Sequence, residues 1–424
     1  HWVPPDEQLL GPGPTEPSSE VLKALSTPLT GFFEPSFFAL QDDVNAMLRY
    51  VWQTENPNTC AIAGTGTASW DAAISNLVSP GEVVVALCNG KFSDKSAQMA
   101  DVYGCDVRRV CKAWGEPFTL HDVEDALAAH SPVVVLMTHG ETTTGLLQPM
   151  QGIGELCHTG GHDCLLLLDC VSTLGGCQTF LDKWGVDAAW SCGQKGLGAV
   201  PGIAPITFSA RAMARMKARK EKRNATALDM TKWFGYLCGN NGKGAADSHK
   251  YFTTAPVNLY YALRAALVLI CREGLANVWA RHAEAAASLW DGLEQIGLQV
   301  LIPNRALREP TCTAVMMPEE VQKHDDGASL CAHLHAKGIC ITPAATTGRN
   351  AEDGFEPLSL VSVWRIGLMG PQATVSTATK VVAAIAQWKG SFSGSSGPVP
   401  MPAAAPGPRI QIRFITGNKF KAEE

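Results

Sequence analysis

The sequence predicts an α/β protein in which a large domain built on a mostly parallel sheet is followed by a smaller α+β domain. Three observations carry this. Between about residues 60 and 210, short apolar runs alternate with segments of helical period, the pattern of strands and crossover helices. From about residue 258 the texture changes to two long helical patterns followed by short strands and helices. The 424 residues, 46% hydrophobic and 17% charged, suffice for two or three domains with large cores.

In chain order, the predicted strands are EVVVALC (82–88), CDVRRVC (105–111), PVVVLMTH (132–139), CLLLLDC (164–170), DAAWSC (187–192) and GIAPITFS (202–209). Between them a helix is expected over 67–78, where Trp70, Ile74, Leu77 and Val78 share one face. A second is expected over 119–129, opened by Thr119 with Asp122 three residues later. LYYALRAALVLICREGL and the stretch from Ala276 to Ile296 read as consecutive long helices. The division that follows is 1–257 for an N-terminal segment and the large domain, and 258–389 for the small domain. Residues 390–408, mostly Gly, Ser, Pro and Ala, read as a flexible linker, with a separate short segment at 409–424.

Composition removes several classes of function. A net charge of −6 argues against nucleic acid as a main partner. No apolar stretch approaches the ~18 residues of a bilayer span, so no membrane partner is expected. The basic run 211–223 reads as a solvated helix end. The 14 cysteines are scattered, with no C-x-x-C pair, which suggests reduced thiols in a soluble intracellular protein. Cys331, His333 and His335 do not form a metal site, because i, i+2, i+4 spacing turns His333 to the opposite helix face. The chain opens with His1 and ends at Glu424 in mid-pattern, so truncation at both ends is expected, with any targeting signal lost.

Three patterns carry chemistry. AGTGTASWDAA places Gly64, Thr65, Gly66 and Thr67 just before a helix, where N–H groups and hydroxyls converge on the positive end of its dipole. CLLLLDC ends in Asp169, an acid delivered to the sheet's carboxyl edge. DAAWSC runs into GQKG and presents Lys195 at the same edge, with Gly193 and Gly196 expected to let the backbone approach a bound ring. A phosphate cradle, an edge carboxylate and an edge lysine match the three handles of pyridoxal phosphate: its ester, its pyridine nitrogen and its C4′ aldehyde. The lysine then forms the Schiff base, and the carboxylate keeps the ring nitrogen protonated.

The strings LLGPGPTEP, GTGTASWDAAISNLVSPGE, THGETTTGLLQP, LLLDCVSTLGG, DKWGVDAAWSCGQKG, YFTTAPVNLYYALRAAL and WRIGLMG extend this reading. From about Leu9 to Trp388 the chain resembles the class V aminotransferases of pyridoxal phosphate fold type I. Within them it is most similar to the alanine-glyoxylate and serine-glyoxylate (serine-pyruvate) aminotransferases. The resemblance implies that Thr65, Gly66, Thr67 and Gln194 hold the phosphate, that Phe92 stacks on the ring and that Val171 lies beneath it. It implies Thr142 at the phenolic oxygen, Asp169 at the ring nitrogen and Lys195 as the covalent anchor. Tyr251 and Thr254 would reach the neighbouring subunit's phosphate in a homodimer, and Arg365 would clamp the substrate's α-carboxylate. Relatives work in peroxisomes or mitochondria, which is the implied location.

The implied reaction moves an amino group from alanine or serine to glyoxylate, giving glycine and a 2-oxo acid. Kynurenine and 2-aminoethylphosphonate are alternative donors within the class. A cysteine desulfurase is disfavoured, because Phe92 stands where those enzymes stack a His and the loop 346–354 has no Cys. An inactive scaffold would not need the lysine, aspartate and arginine together. Two departures from the family pattern stand out: Phe33 where many relatives carry His, and Cys192-Gly193 in place of Gly-Ser before Gln194. The final RIQIRFITGNKFKAEE resembles the opening of the inosine triphosphate pyrophosphatase family, with Thr416, Asn418 and Lys421 at the matching positions.

Overall fold

The computed structural model describes residues 5–220, 225–239, 249–325, 327–345 and 362–392. Fourteen strands occur among them: β1 Gln8–Leu9, β2 Asn58–Ala63, β3 Val83–Cys88, β4 Asp106–Cys111, β5 Val134–Thr138, β6 Gly140–Glu141 and β7 Leu146–Leu147 come first. They are followed by β8 Leu165–Asp169, β9 Ala188–Trp190, β10 Ile203–Phe208, β11 Cys312–Met316, β12 Ile339–Cys340, β13 Thr342–Ala345 and β14 Ser362–Gly367.

The large sheet has seven strands in the order β2-β10-β9-β8-β5-β3-β4. Pairings β9·β8, β8·β5, β5·β3 and β3·β4 are parallel, whereas β10 runs antiparallel to both β9 and β2. Its central strands are covered on both faces, which is why they read as unbroken apolar runs. Val134 to Met137 and Leu165 to Leu168 are all buried. Full burial of each such side chain contributes about 1.5–3 kcal/mol.

Each expected strand is present within two residues of its sequence boundaries. The helix Gly66–Leu77 buries Trp70, Ile74 and Leu77 as the periodicity requires. The helix Leu120–His130 opens with a reciprocal capping box: Thr119 Oγ1 accepts from Asp122 N, and the Asp122 carboxylate accepts from Thr119 N. The two long helices are Val257–Glu273 and Leu275–Gln295, broken at Gly274, whose φ of +86° suits glycine. Elements on the large sheet's side that went unread in the sequence include β2 and the helices Pro35–Trp52 and Lys91–Val102.

A second core gathers around the antiparallel sheet β11-β14-β13, with Trp290, Trp364 and Trp388 at its centre. Leu10 belongs to this core, and β1 pairs in parallel with β12. The N-terminal segment therefore bridges from the second core to the first. The last helix, Val375–Ser391, runs two residues into the stretch read as a linker. Residues 393–408 of that linker, the loop 346–354 and the tail with Thr416, Asn418 and Lys421 lie outside the described residues. Cys331 and Leu334 face the second core from the helix Ala328–His335. Among the described residues, which include all fourteen cysteines, no disulfide is formed. No helix among the described residues is long and apolar enough to cross a membrane.

Candidate active site

Adjacent parallel strands deliver their carboxyl ends to one edge of the sheet, so the residues just beyond β5, β8 and β9 converge. Asp169 is the last residue of β8, in register with Thr138 of β5 and Trp190 of β9. It is buried, and its Oδ1 accepts the Val171 N–H at 2.7 Å. Loss of water pushes its carboxyl up to about 7, and the nearby Glu141 carboxylate adds to the rise, while the Val171 bond and Lys195 oppose it.

Lys195 lies on the turn after β9. Its Nζ donates to the carbonyl of Pro12, and Gly13 packs so closely on its side chain that a Cβ there would overlap the Lys195 methylenes. The N-terminal GPGPTEP segment thus covers the lysine. The flanking glycines serve a different purpose from the one expected. A Cβ on Gly196 would stand 2.5 Å from the Leu174 carbonyl oxygen, and one on Gly193 would stand 2.7 Å from that of Val200. They let this turn pack on the protein's own backbone.

The helix Gly66–Leu77 starts beside these residues. A Cβ on Gly66 would lie 3.2 Å from Cys192 Cβ and 3.5 Å from Val171 Cγ2, so the helix end packs closely against both turns. Ser69 Oγ ties the first turn of the helix to the Ser191 carbonyl at 3.1 Å. Thr65 occupies the N-cap position without capping the helix through its side chain, and Thr65 and Thr67 are both exposed. Their hydroxyls and the first N–H groups of the helix form an open anion cradle. Cys192 Sγ contacts the Val171 carbonyl at 3.9 Å, so the thiol that departs from the family pattern faces the turn after Asp169.

Beyond β5 the HGETTTG turn contains a residue that the sequence reading passed over. Glu141 is buried, and its Oε2 accepts the N–H groups of Phe92 and Ser93, each at 3.0 Å, at the start of the helix Lys91–Val102. Its Oε1 accepts the Thr143 N–H at 3.1 Å. A carboxylate at a helix N-terminus also meets the positive end of the dipole. One side chain thereby fixes half-buried Phe92 and the turn bearing buried Thr142 relative to each other. The signal available in the sequence was the one used for Asp169, an acid just past an apolar strand.

Arg365 stands in the middle strand of the small sheet, opposite Ala314 and Thr342. Its charge and that of Lys195 both act on the buried Cys312 thiol, whose Sγ lies 3.7 Å from the Thr142 carbonyl oxygen. Arg365 Nε and Gln194 Oε1 are buried without hydrogen-bond partners among the described residues. Buried polar atoms are normally paired, so these two mark places for a ligand. Tyr251 is not gathered into this cluster: it is 61% exposed and packs on Phe32 with ring centroids 5.8 Å apart. Thr254 is exposed as well.

The aminotransferase class-V family model matches residues 38–369. Alanine–glyoxylate aminotransferase of Rattus norvegicus is 36% identical over 381 residues, covering 90% of this chain and 87% of that protein. (S)-ureidoglycine–glyoxylate transaminase of Bacillus subtilis is 32% identical, covering 86% of each. The crystal structure of an alanine–glyoxylate aminotransferase from Nostoc sp. superposes with a TM-score of 0.82 at 42% identity, covering 92% of this chain and 96% of that one. The chain belongs to the class V aminotransferases and has their α/β fold.

Proposed function

We propose that this aminotransferase is pyridoxal phosphate-dependent and moves the amino group of alanine or serine to glyoxylate, yielding glycine and a 2-oxo acid. The observation that carries the reading is the convergence of Lys195, Asp169 and the open helix end at Gly66 on one sheet edge. The residues fit the cofactor: buried Asp169 makes no ion pair among the described residues, a helix end is open at Gly66, and Gln194 and Arg365 keep buried atoms unpaired among those residues. Similarity to alanine–glyoxylate aminotransferases supports the choice of substrates.

Thr65, Gly66, Thr67 and Gln194 would hold the phosphate, with Tyr251 and Thr254 serving the site of a neighbouring copy. Their exposure supports that assignment, as does the exposed Phe33 on the same N-terminal aromatic face. Phe92 and Val171 would bracket the ring, and the Thr142 hydroxyl would bond its phenolic oxygen. When bound, the cofactor supplies an electrophilic C4′ and a ring that accepts the electron pair left at the substrate's Cα. Asp169 would hold the proton on the ring nitrogen, and Lys195 Nζ would move a proton between Cα and C4′. Arg365 would bind the α-carboxylate and so orient the substrate toward Lys195, whose side chain the Pro12–Gly13 strap covers. Arg365 is the one such arginine among the described residues, which suits a monocarboxylic donor, because a second carboxylate left unpaired on burial would cost several kcal/mol.

The test is a donor panel of alanine, serine, glutamate, aspartate, kynurenine, 2-aminoethylphosphonate and (S)-ureidoglycine, each with glyoxylate and with pyruvate. Fastest turnover is expected for alanine or serine with glyoxylate. Fastest turnover with glutamate, ureidoglycine or the phosphonate would overturn the donor assignment. The pyrophosphatase-like tail, with Thr416, Asn418 and Lys421, is supported by its sequence alone and is tested by nucleotide hydrolysis in a protein extending beyond Glu424.

A further inference from the structure

The turn that follows β14 meets the Lys195 turn backbone against backbone. Gly370 has a φ of +55° and Gly198 one of +69°, both in the left-handed region that favours glycine. A Cβ on Gly370 would stand 2.9 Å from Gly198 Cα and 3.5 Å from the Lys195 carbonyl oxygen, and one on Gly198 would stand 2.8 Å from Pro371 Cδ. The same Lys195 carbonyl accepts the Gly198 N–H at 2.9 Å and so closes the turn that presents the lysine. Thr15 fastens the two segments a second time: its N–H donates to the Gln194 carbonyl and its hydroxyl to that of Met369, each at 2.9 Å. Arg365 stands five residues before Gly370, on β14. The Gly370 turn therefore joins the strand that bears Arg365 to the turn that bears Lys195.

Consecutive residues of the helix Leu275–Gln295 take both backbone groups of Gly370. His282 Nε2 accepts its N–H at 3.1 Å, while Arg281 Nη1 donates to its carbonyl and to that of Ala373, each at 2.9 Å. The His282 Nδ1–H donates to the Val278 carbonyl at 2.8 Å, which leaves Nε2 as the acceptor that the Gly370 N–H needs. Burial pushes the imidazole down to about 4, so it stays neutral near pH 7. On the other side of Arg281, Nε and Nη2 donate to the two carboxylate oxygens of Glu273 at 2.7 and 3.0 Å, a fork that fixes the guanidinium plane. A leucine in place of His282 would fill the core but leave the N–H of buried Gly370 without its acceptor.

We propose that Arg281 and His282 are positioning residues for the transamination: they hold the Gly370 turn against the Lys195 turn and thereby set the spacing between Arg365 and the Lys195 nitrogen. The proposal rests on the reading of Lys195 and Arg365 given above. It gives the pair an effect on substrates that engage both groups and none on attachment of the cofactor, which uses Lys195 without Arg365. Misplacing a substrate clamp by about 1 Å costs up to about 10²-fold in rate.

The test uses His282→Leu, which removes the acceptor, with Arg281→Met as an independent variant should the first fail to fold, and His282→Gln, whose amide oxygen can take the place of Nε2, as the rescue. In the cofactor-free proteins, hydrogen exchange read by mass spectrometry should quicken in peptides covering 369–373 and 194–198 and stay unchanged in β5 and β8. In the cofactor-loaded proteins, alanine is compared with ethylamine, which is alanine without its carboxylate, by the rate of the absorbance change each causes. The ratio of the alanine to the ethylamine rate constant should fall about 10- to 100-fold with leucine or methionine and return toward wild type with glutamine. Unchanged exchange in both peptides of a folded variant, or equal loss with both amines as a merely structural role would give, would overturn the proposal. Failure of wild-type protein to attach the cofactor at Lys195, or to react faster with alanine than with ethylamine, would instead overturn the reading beneath it, so the two failures are told apart.

Discussion

Replacing Asp169 by asparagine should make the cofactor-free protein more stable and the enzyme far slower. The carboxyl has an ordinary value of 3.8 and is raised by burial to about 7. The difference, 7 − 3.8 ≈ 3, is worth on the order of 4 kcal/mol at about 1.36 kcal/mol per pH unit. The sign follows from linkage. A group whose value rises on folding contributes stability that is fully present below 3.8 and lost as pH climbs through about 7. Asparagine is nearly isosteric, keeps an oxygen to accept the Val171 N–H and carries no charge, so it escapes that loss. Urea denaturation of the cofactor-free proteins should show no difference near pH 4 and a variant more stable by a few kcal/mol at pH 8. Catalysis runs the other way. An ionised Asp169 gains back this energy when it meets a protonated ring nitrogen, and the amide cannot, so turnover should drop by about 10³-fold with the cofactor still bound. An asparagine variant with near-wild-type turnover, or one less stable than wild type at pH 8, would refute the reasoning.

Three further outcomes follow from the geometry. Arg365→Lys should raise KM for alanine about 10- to 100-fold with a smaller change in kcat, since a lysine cannot reproduce a planar two-point contact; steady-state kinetics read it. Glu141→Ala should destabilise the protein by about 3–5 kcal/mol in urea, because it strips the acceptor from the buried N–H groups of Phe92, Ser93 and Thr143. Mixing Lys195→Ala subunits with Tyr251→Phe, Thr254→Ala subunits should restore one working site per heterodimer; no recovery in a mixed dimer isolated by affinity tags would remove Tyr251 and Thr254 from the neighbour's site.

The large sheet was legible because its strands are buried on both faces and announce themselves as apolar runs. Asp169 and Lys195 were legible because one ends an apolar strand and the other follows one, and the cradle because its glycines and threonines open an amphipathic helix. What escaped was built from distant pairings. β1 is two residues long and owes its existence to β12, some 330 residues away, so nothing local marks it. β2 lies at the sheet's edge and follows a polar stretch, NPN, that masks its start. Glu141 stands just past an apolar strand, but only folding brings the N–H groups of Phe92 and Ser93 to it. The glycines around Lys195 were correctly singled out and wrongly explained, because the close neighbour they permit is the chain's own backbone.

The central claim is that Lys195 anchors pyridoxal phosphate and works on the amino group of alanine. Borohydride reduction of the yellow protein, followed by proteolysis and mass spectrometry, tests it directly when run with and without a preceding addition of alanine. The account predicts a pyridoxyl label on the peptide containing Lys195 alone, lost when alanine is added first and restored by glyoxylate. A label on another lysine, or one at Lys195 that neither alanine nor glyoxylate changes, would contradict it.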